Sequence, residues 1–332
     1  MYNIHTHTFT LDAVPDRFLP FGLVRLLAKP RLSRRMVRWL RCLIPWSDMD
    51  VFDRYAAFLS TGSATRQSDI FLKLREQYPP DTKFVVLPMD MEYMGAGKVR
   101  QPYWNQVAEL EQLHGNFPNQ VIPFVAADPR RPDIVQHVKR CIEAHGFRGV
   151  KIYPPLGYAP YCRVLLQVFD FCQAAGVPVI AHCSRGGVYS RTMSRDECLQ
   201  RTMPTNWAGV LRSFPQLKLC LAHFGGDAEF RKYTEARDSW TLDILELMQQ
   251  YENVYADVSY VAANEWSHDT IKDLCSDPVT RDRVLFGTDY YMVQAAQKSE
   301  ADYRFRLLQV LGPEAFARIA DINPKRYLGE PD

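Results

Sequence analysis

Residues 164–183 read VLLQVFDFCQAAGVPVIAHC, a helix pattern followed by a strand pattern. The first part has apolar residues at helical spacing and stops at Gly176, the residue type that most often ends a helix in the left-handed conformation. The second part, 178–183, is a short apolar run typical of a buried strand. The same order recurs in residues 134–153, with Gly146 at the junction. This repeat predicts parallel strands that are connected by helices.

Candidate strands alternate with helix patterns along nearly the whole chain. They are residues 1–5, 83–89, 121–127, 149–153, 178–183, 218–223, 254–260 and 283–289. Eight strands are the number that closes a (β/α)8 barrel. A doubly wound sheet is the competing α/β fold, but no glycine-rich dinucleotide-binding turn follows the first strand. We therefore predict an α/β fold of the TIM-barrel type, with residues 1–332 as a single domain.

The connection after the first strand, residues 10–80, is too long for an ordinary loop and predicts a helical insertion. Within it, residues 17–41 carry eight Lys or Arg and no Asp or Glu, interleaved with apolar residues at roughly helical spacing. This basic segment could be a cap that attracts an anionic substrate, a helix on a membrane surface, or the solvated face of a helix pair. We expect the cap, because both ends of the segment must return to the rim of the barrel.

The composition is that of an ordinary globular protein, with 47% hydrophobic and 23% charged residues. Forty basic and 38 acidic side chains leave a net charge of +2, which argues against a nucleic-acid-binding protein. No apolar run reaches the roughly 20 residues of a transmembrane segment, and the first residues do not resemble a secretory signal. The eight cysteines form no C-x-x-C pair. We expect a cytoplasmic protein that acts on a small molecule, and a homodimer is left open.

Histidines mark the ends of several predicted strands. His5 and His7 end the first strand, where side chains two residues apart point to the same face. Two buried neutral imidazoles directed at one point are typical of a metal site. His182, His223 and Asp289 end strands five, six and eight, where a barrel places its catalytic groups. The pattern predicts a metal centre at the carboxyl ends of the strands.

The motifs HTH, GVKIY, IAHC, LAHF and FGTD, in this order, resemble the amidohydrolase superfamily, in particular its compact amidohydrolase 2 branch of metal-dependent hydrolases and decarboxylases. The resemblance extends from the first strand to the last. It implies three metal-ligating histidines, which are His5, His7 and His182. Asp289 would be both a metal ligand and the catalytic base. His223 would be either a ligand of a second metal or the catalytic residue that polarises the substrate.

Lys151 lies in the fourth strand, where a charged amine is costly unless it is paired. In binuclear relatives a lysine at this position is carboxylated and bridges two metal ions, which requires the neutral amine that burial favours. In mononuclear relatives it only supports the site; here it could instead bond a neighbour such as Asp289 or reach the substrate. The implied cofactor is one or two ions of Zn²⁺, with Mn²⁺, Fe²⁺ or Co²⁺ as alternatives.

Two residues are candidates for substrate binding. Arg185 follows His182 in the loop HCSRGG and could hold a carboxylate bidentately, although an ordinary loop arginine is the alternative. Tyr153 follows the fourth strand and is expected to line the barrel mouth. The expected reaction is hydrolysis of a C–N or C–O bond (amide, ester or lactone) in a small anionic substrate, with Asp289 as the base. The alternatives are non-hydrolytic decarboxylation, a metal-dependent phosphoesterase and a metal-binding protein without activity. The phosphoesterase is considered because HTHTFTLD (5–12) also resembles the start of the polymerase-and-histidinol-phosphatase type.

Overall fold

The computed structural model describes residues 1–19, 23–29, 31, 49–236, 239–297 and 299–331. Eight parallel strands form one sheet in which each strand pairs with the next along the chain. The strands are β1 (Tyr2–Thr6), β2 (Lys83–Val86), β3 (Val121–Ala126), β4 (Gly149–Ile152), β5 (Val179–Ser184), β6 (Leu219–Gly225), β7 (Val254–Asp257) and β8 (Val284–Leu285). Their residues are almost all buried, as expected for a parallel sheet covered by helices.

Backbone hydrogen bonds join the last strand to the first. The Ile4 amide donates to the Phe286 carbonyl at 3.0 Å, and the Asp289 amide donates to the His5 carbonyl at 2.8 Å. The sheet is thereby a nearly closed barrel, which confirms the predicted α/β TIM-barrel fold.

Helices occupy the connections between strands. Within the described residues they are α1 (Leu23–Leu27), α2 (Met49–Gly62), α3 (Gln67–Arg75), α4 (Tyr103–Asn116), α5 (Ile134–Ala144), α6 (Arg163–Ala175), α7 (Arg195–Thr202), α8 (Trp207–Ser213), α9 (Asp227–Ala236), α10 (Trp240–Gln250), α11 (His268–Ser276), α12 (Glu300–Ala317) and α13 (Asn323–Leu328). The first three form the helical insertion expected between β1 and β2. Gly176 ends α6 with φ 66°, as its position in the sequence predicts.

Three strands end at least three residues earlier than predicted, and the first of them, expected at 83–89, ends at Val86. The expected strands 254–260 and 283–289 end at Asp257 and Leu285. Tyr260 and Asp289 have φ values of 64° and 63°, in the left-handed region that a regular strand does not contain. The chain therefore turns at the carboxyl ends of β7 and β8, and Asp289 lies in such a turn rather than in the strand.

Only part of the basic segment 17–41 lies within the described residues, and its arginines beyond residue 31 lie outside them. In α1, Val24 and Leu27 are buried and face the cavity above the barrel. Arg25 donates instead to the Lys98 carbonyl. The attraction of anions by this segment stays a prediction.

A separate cluster of buried apolar residues fills the interior of the barrel. Its members include Ile4, Phe124 and Ile180, and Tyr327 from α13 packs on Tyr255 with 5.1 Å between ring centroids. A larger cluster of buried apolar residues, among those that the structure describes, lies between the sheet and the helices. With the interior closed in this way, the carboxyl ends of the strands remain for a site.

Two further properties concern the environment of the chain. No helix of the described ranges is both long and apolar enough to span a membrane. The seven cysteines that lie within these ranges are free thiols.

Candidate active site

A break in strand register brings His5 into the barrel. Between the pairs made by Asn3 and Thr6, β1 contains one residue more than β2. Such a β-bulge redirects side chains. Ile4 packs in the interior cluster, and the adjacent His5 is also buried, with 1% exposure, among the site residues. The bulge thus directs the side chains of Ile4 and His5 to the same side of β1. In a regular strand, adjacent side chains point to opposite faces.

A second break serves the sixth strand. While β5 advances from His182 to Ser184, β6 advances by one residue more, through His223 and Phe224. These two residues have φ values of 67° and 46°, and Asp289 has 63°. Left-handed backbone at residues other than glycine costs energy and clusters at functional sites. The site is therefore built where strands β1, β6 and β8 depart from regular geometry.

Three side chains form a potential metal site. His7 Nε2 lies 3.1 Å from Asp289 Oδ1, and His5 Nε2 lies 3.7 Å from the same oxygen. One ligand atom from each of the three lies within 4.8 Å of the others. We call His5, His7 and Asp289 the metal-ligand group. The structure brings these three predicted ligands together.

Acceptor-only partners determine the tautomers of both histidines. His5 Nδ1 is 2.9 Å from Asp257 Oδ2, and His7 Nδ1 is 2.7 Å from the Leu87 carbonyl. A carboxylate and a carbonyl can only accept, so each Nδ1 carries the hydrogen and each Nε2 presents a lone pair. Burial and the charge of Lys151 lower the pKa of His5 to about 3, which keeps that ring neutral.

Asp257 holds several residues of the site in position through hydrogen bonds that it accepts. Its Oδ1 accepts hydrogen bonds from the backbone amides of His223 and Ser259, both at 3.0 Å, and from the Ser259 hydroxyl. Burial raises the pKa of Asp257, but the adjacent His5, through its hydrogen bond, outweighs burial and holds the pKa well below its usual range. The carboxylate is therefore ionised and fully engaged.

Sequence reasoning missed Asp257 and Ser259. The available signal was an acidic residue that ends the apolar run VYAD, just as Asp289 ends FGTD. His5, His223 and Asp257 also have potential ligand atoms within 4.8 Å of one another. Because Asp257 accepts the Nδ1 hydrogen of His5, we assign it to the residues that support the metal-ligand group rather than to the ligands themselves.

Lys151 is buried beside His5, with Nζ 3.4 Å from His5 Nε2 and 1% exposure. Burial lowers the pKa of Lys151 to about 8, against the opposing effect of Asp257 and Asp289. A larger fraction of Lys151 is therefore in the neutral amine form at neutral pH than of an exposed lysine. Carboxylation of Lys151 stays a prediction.

His182 lies beside the metal-ligand group. Its ring is 5.0 Å from that of His223, and it stacks on Tyr153 at 4.2 Å with an angle of 20°. His182 Nε2 is 3.1 Å from the Gly186 carbonyl, so this nitrogen carries a hydrogen in the conformation observed. Gly187, at φ 100°, packs so closely that a Cβ there would lie 2.3 Å from the Tyr153 hydroxyl. Tyr153 and Gly187 thereby position His182, and its metal ligation stays a prediction.

Arg185 lines the cavity but already has a partner. Its Nε donates to Glu229, which is 5% exposed, and its guanidinium stacks over Trp240 at 4.6 Å. Part of its charge is therefore neutralised. Carboxylate binding by Arg185 stays a prediction.

A cavity of about 690 Å³ opens above the carboxyl ends of the strands. This volume lies in the range of pockets that enclose small-molecule ligands. The predicted site residues that line it are His5, His7, Tyr153, His182, Arg185, His223 and Asp289.

A family model described as Amidohydrolase, of the amidohydrolase 2 type, matches residues 93–329. The chain belongs to the amidohydrolase family. The match contains His182, His223 and Asp289, whereas His5 and His7 precede it. The resemblance predicted from the sequence motifs is confirmed, and members of this family are metal-dependent enzymes that include hydrolases and decarboxylases.

Solved structures share the fold of this amidohydrolase at low sequence identity. An uncharacterised TIM-barrel protein from Bordetella bronchiseptica is 17% identical, with 99% of each chain covered and a TM-score of 0.64. A probable 2-pyrone-4,6-dicarboxylic acid hydrolase from Acinetobacter baumannii, with citric acid bound, is 10% identical over 99% of this chain and 98% of its own, with a TM-score of 0.62. A 5-carboxyvanillate decarboxylase from Novosphingobium aromaticivorans, complexed with manganese and 4-hydroxy-3-methoxy-5-nitrobenzoic acid, is 14% identical over 99% and 96%, with a TM-score of 0.57. No curated protein matches the chain.

Proposed function

We propose that this amidohydrolase is a metal-dependent hydrolase that cleaves a C–N or C–O bond of an amide, ester or lactone. The observation that carries the proposal is the position of Asp289, whose Oδ1 lies 3.1 Å from His7 Nε2 and 3.7 Å from His5 Nε2. Burial raises the pKa of Asp289, but the adjacent rings of His7 and His5 outweigh burial and lower the pKa to about 2. An ionised carboxylate next to ligand nitrogens is suited to accept a proton.

The donor atoms of the metal-ligand group fit a transition-metal ion. Asp257 and the Leu87 carbonyl hold the Nδ1 atoms of His5 and His7, which leaves both Nε2 atoms for the ion. Two imidazole nitrogens and a carboxylate oxygen suit Zn²⁺, with Mn²⁺, Fe²⁺ or Co²⁺ as alternatives. When bound, such an ion lowers the pKa of a water and polarises a carbonyl. His182 is proposed as a further ligand, and a carboxylated Lys151 as the bridge to a second ion.

The protein's own groups then move the protons. Asp289 accepts the proton of the attacking water and returns it to the leaving nitrogen or oxygen. His223 Nδ1 lies 3.2 Å from the Ser259 carbonyl, which can only accept, so Nδ1 carries a hydrogen. Nε2 of neutral His223 then carries a lone pair, which suits a second metal ion. In the imidazolium form the same nitrogen donates to the oxygen on which charge develops, and we assign it this role.

The substrate is proposed to be small and anionic. Arg185 and Arg195 are the cations among the described residues that line the cavity. A carboxylate bound by Arg185 would share the guanidinium with Glu229. Tyr153 supports this end of the site through the ring of His182.

An isotope experiment separates hydrolysis from decarboxylation. Metal-loaded protein is incubated in H₂¹⁸O with a panel of esters, lactones, N-acyl amines and hydroxybenzoates, and the products are analysed by mass spectrometry. Hydrolysis places ¹⁸O from the solvent in the newly formed acid. Release of CO₂ from a carboxylated substrate, with no solvent oxygen in the remaining product, would contradict the proposal and indicate a decarboxylase.

A further inference from the structure

The cavity has a polar side and an apolar side, and the order of the strands in the barrel explains why. Its charged residues outside the metal-ligand group are Arg185, Arg195 and Asp227, which follow β5 and β6. The connections after β8, β1 and β2, which are neighbours on the opposite side of the barrel, supply apolar side chains instead. This apolar side includes Phe9, Leu27, Phe58, Leu59, Met89 and Tyr291, and we call these six residues the apolar chamber.

The apolar chamber begins at a metal ligand. The rings of His7 and Phe9 are 5.4 Å apart, Phe9 is 5.7 Å from Tyr291, and Tyr291 is 5.4 Å from Phe58. The Tyr291 hydroxyl donates to the Phe9 carbonyl at 2.9 Å, so its polar atom is bonded to backbone. Phe58 belongs to α2, so the helical insertion contributes to this wall. A continuous aromatic surface thus leads from the metal-ligand group into the insertion.

We infer that the apolar chamber binds a hydrophobic alkyl or aryl chain of the substrate, attached to the group that is hydrolysed. This inference rests on the proposed hydrolysis for the position of the reacting group. An apolar wall of this kind gains free energy from each methylene that it removes from water. The small anionic end of the substrate then lies towards Arg185 and Arg195, and the apolar chain towards Leu27 and Leu59.

Alkanehydroxamic acids test the inference by binding alone, because the hydroxamate chelates a metal ion and the chain length can be varied. Binding of the series from acetohydroxamic to decanohydroxamic acid to the zinc-loaded protein is measured by calorimetry. We expect the affinity to rise roughly fourfold with each added methylene until the chamber is filled, as burial of a CH₂ predicts. Equal affinity along the series would overturn the inference.

Two adjacent leucines of α1 provide a matched pair of variants. Leu27 lines the cavity, whereas Leu26 is 42% exposed and does not line it. We expect Leu27→Gln to weaken the dependence on chain length and Leu26→Gln to leave it unchanged; Leu59→Gln, on α2, is the second test if Leu27→Gln fails to fold. An undiminished dependence in both cavity variants would place the chain elsewhere and overturn the inference.

Metal dependence separates this inference from the proposed function. If acetohydroxamic acid binds only with zinc but longer chains add nothing, the metal site stands and the apolar chamber fails. If long chains bind equally well after zinc is removed, the chamber stands and the proposed metal chemistry fails.

Discussion

His5 and Asp257 are joined by a buried hydrogen bond of 2.9 Å between Nδ1 and Oδ2, 252 residues apart in the sequence. The carboxylate can only accept, so this bond determines which nitrogen of His5 faces Asp289. Asp257 also accepts from the His223 amide. One residue that contributes no atom to the metal-ligand group therefore orients the histidines on β1 and β6.

Asp257→Asn should weaken metal binding, because the amide carries a donor group and no charge to hold His5. We expect a loss of about 10- to 100-fold in affinity, the usual effect of such supporting partners. The measurement is competition with a chelator of known affinity. Asp273→Asn, at an exposed position of α11, is the control. Equal affinity in both variants would assign Asp257 a purely structural role.

The double substitution His5→Ala and His7→Ala should remove at least one metal ion from the purified protein. It deletes two of the three members of the metal-ligand group. Elemental analysis of wild type and variant provides the measurement, with circular dichroism to verify folding. A folded variant with unchanged metal content would disprove the proposed site.

Asp289→Asn should retain most of the metal and lose turnover. The amide oxygen can still be a ligand, but it cannot accept a proton at neutral pH. We expect kcat to fall by a factor on the order of 10²–10⁴, the usual contribution of a general base. Steady-state kinetics on an active ester or lactone measures it. Full activity of Asp289→Asn would show that another residue is the base, and His223 would be the first residue to test.

Gly187→Ala should disturb the site because its Cβ would lie 2.3 Å from the Tyr153 hydroxyl and 3.1 Å from His182. The left-handed φ of 100° adds backbone strain, of order 1–3 kcal/mol in general. We expect lower kcat/KM and a lower Tm. Gly115→Ala is the control, since a Cβ there meets nothing within 4 Å and alanine favours the helix. If the two variants have the same kcat/KM and Tm, a displacement of Tyr153 and His182 does not affect the site and the prediction is wrong.

Glu300→Gln should change the pH dependence of stability. Glu300 is buried and accepts a hydrogen bond from the Tyr78 hydroxyl at 2.8 Å, and burial raises its pKa from 4.5 to about 7. Since the folded pKa lies above the unfolded one, Glu300 stabilises the fold below about pH 4.5, and this contribution is lost as the pH rises through about 7.

Glutamine resembles the protonated acid at every pH. Relative to Glu300→Gln, the free energy of unfolding of the wild type should therefore fall by up to about 3 kcal/mol between about pH 5 and about pH 8. Urea unfolding across this range measures the difference. Parallel pH profiles for the two proteins would contradict the raised pKa.

Much of the site could be predicted because its residues end strands whose patterns are local. His5, His7 and Asp289 each follow an apolar run, and parallel strands direct their carboxyl ends to one face of a barrel. The predicted strand ends were less accurate at β2, β7 and β8. After β7 and β8, Tyr260 and Asp289 adopt left-handed backbone. Side-chain chemistry is visible in the sequence, whereas such backbone departures arise from contacts between strands.

The amino-acid sequence by itself determined the alternation of strands and helices, the barrel and the residue types of the metal-ligand group, because apolar periodicity and glycine stops act over a few neighbouring residues. The tertiary structure alone decided the bulges that turn His5 and His223 inward, the bond from His5 to Asp257 and the pairing of Arg185 with Glu229. It also assembled the apolar chamber from segments on both sides of the β8–β1 seam. These features depend on strand register and on contacts between distant residues, which packing and hydrogen bonding select only when the whole barrel has formed.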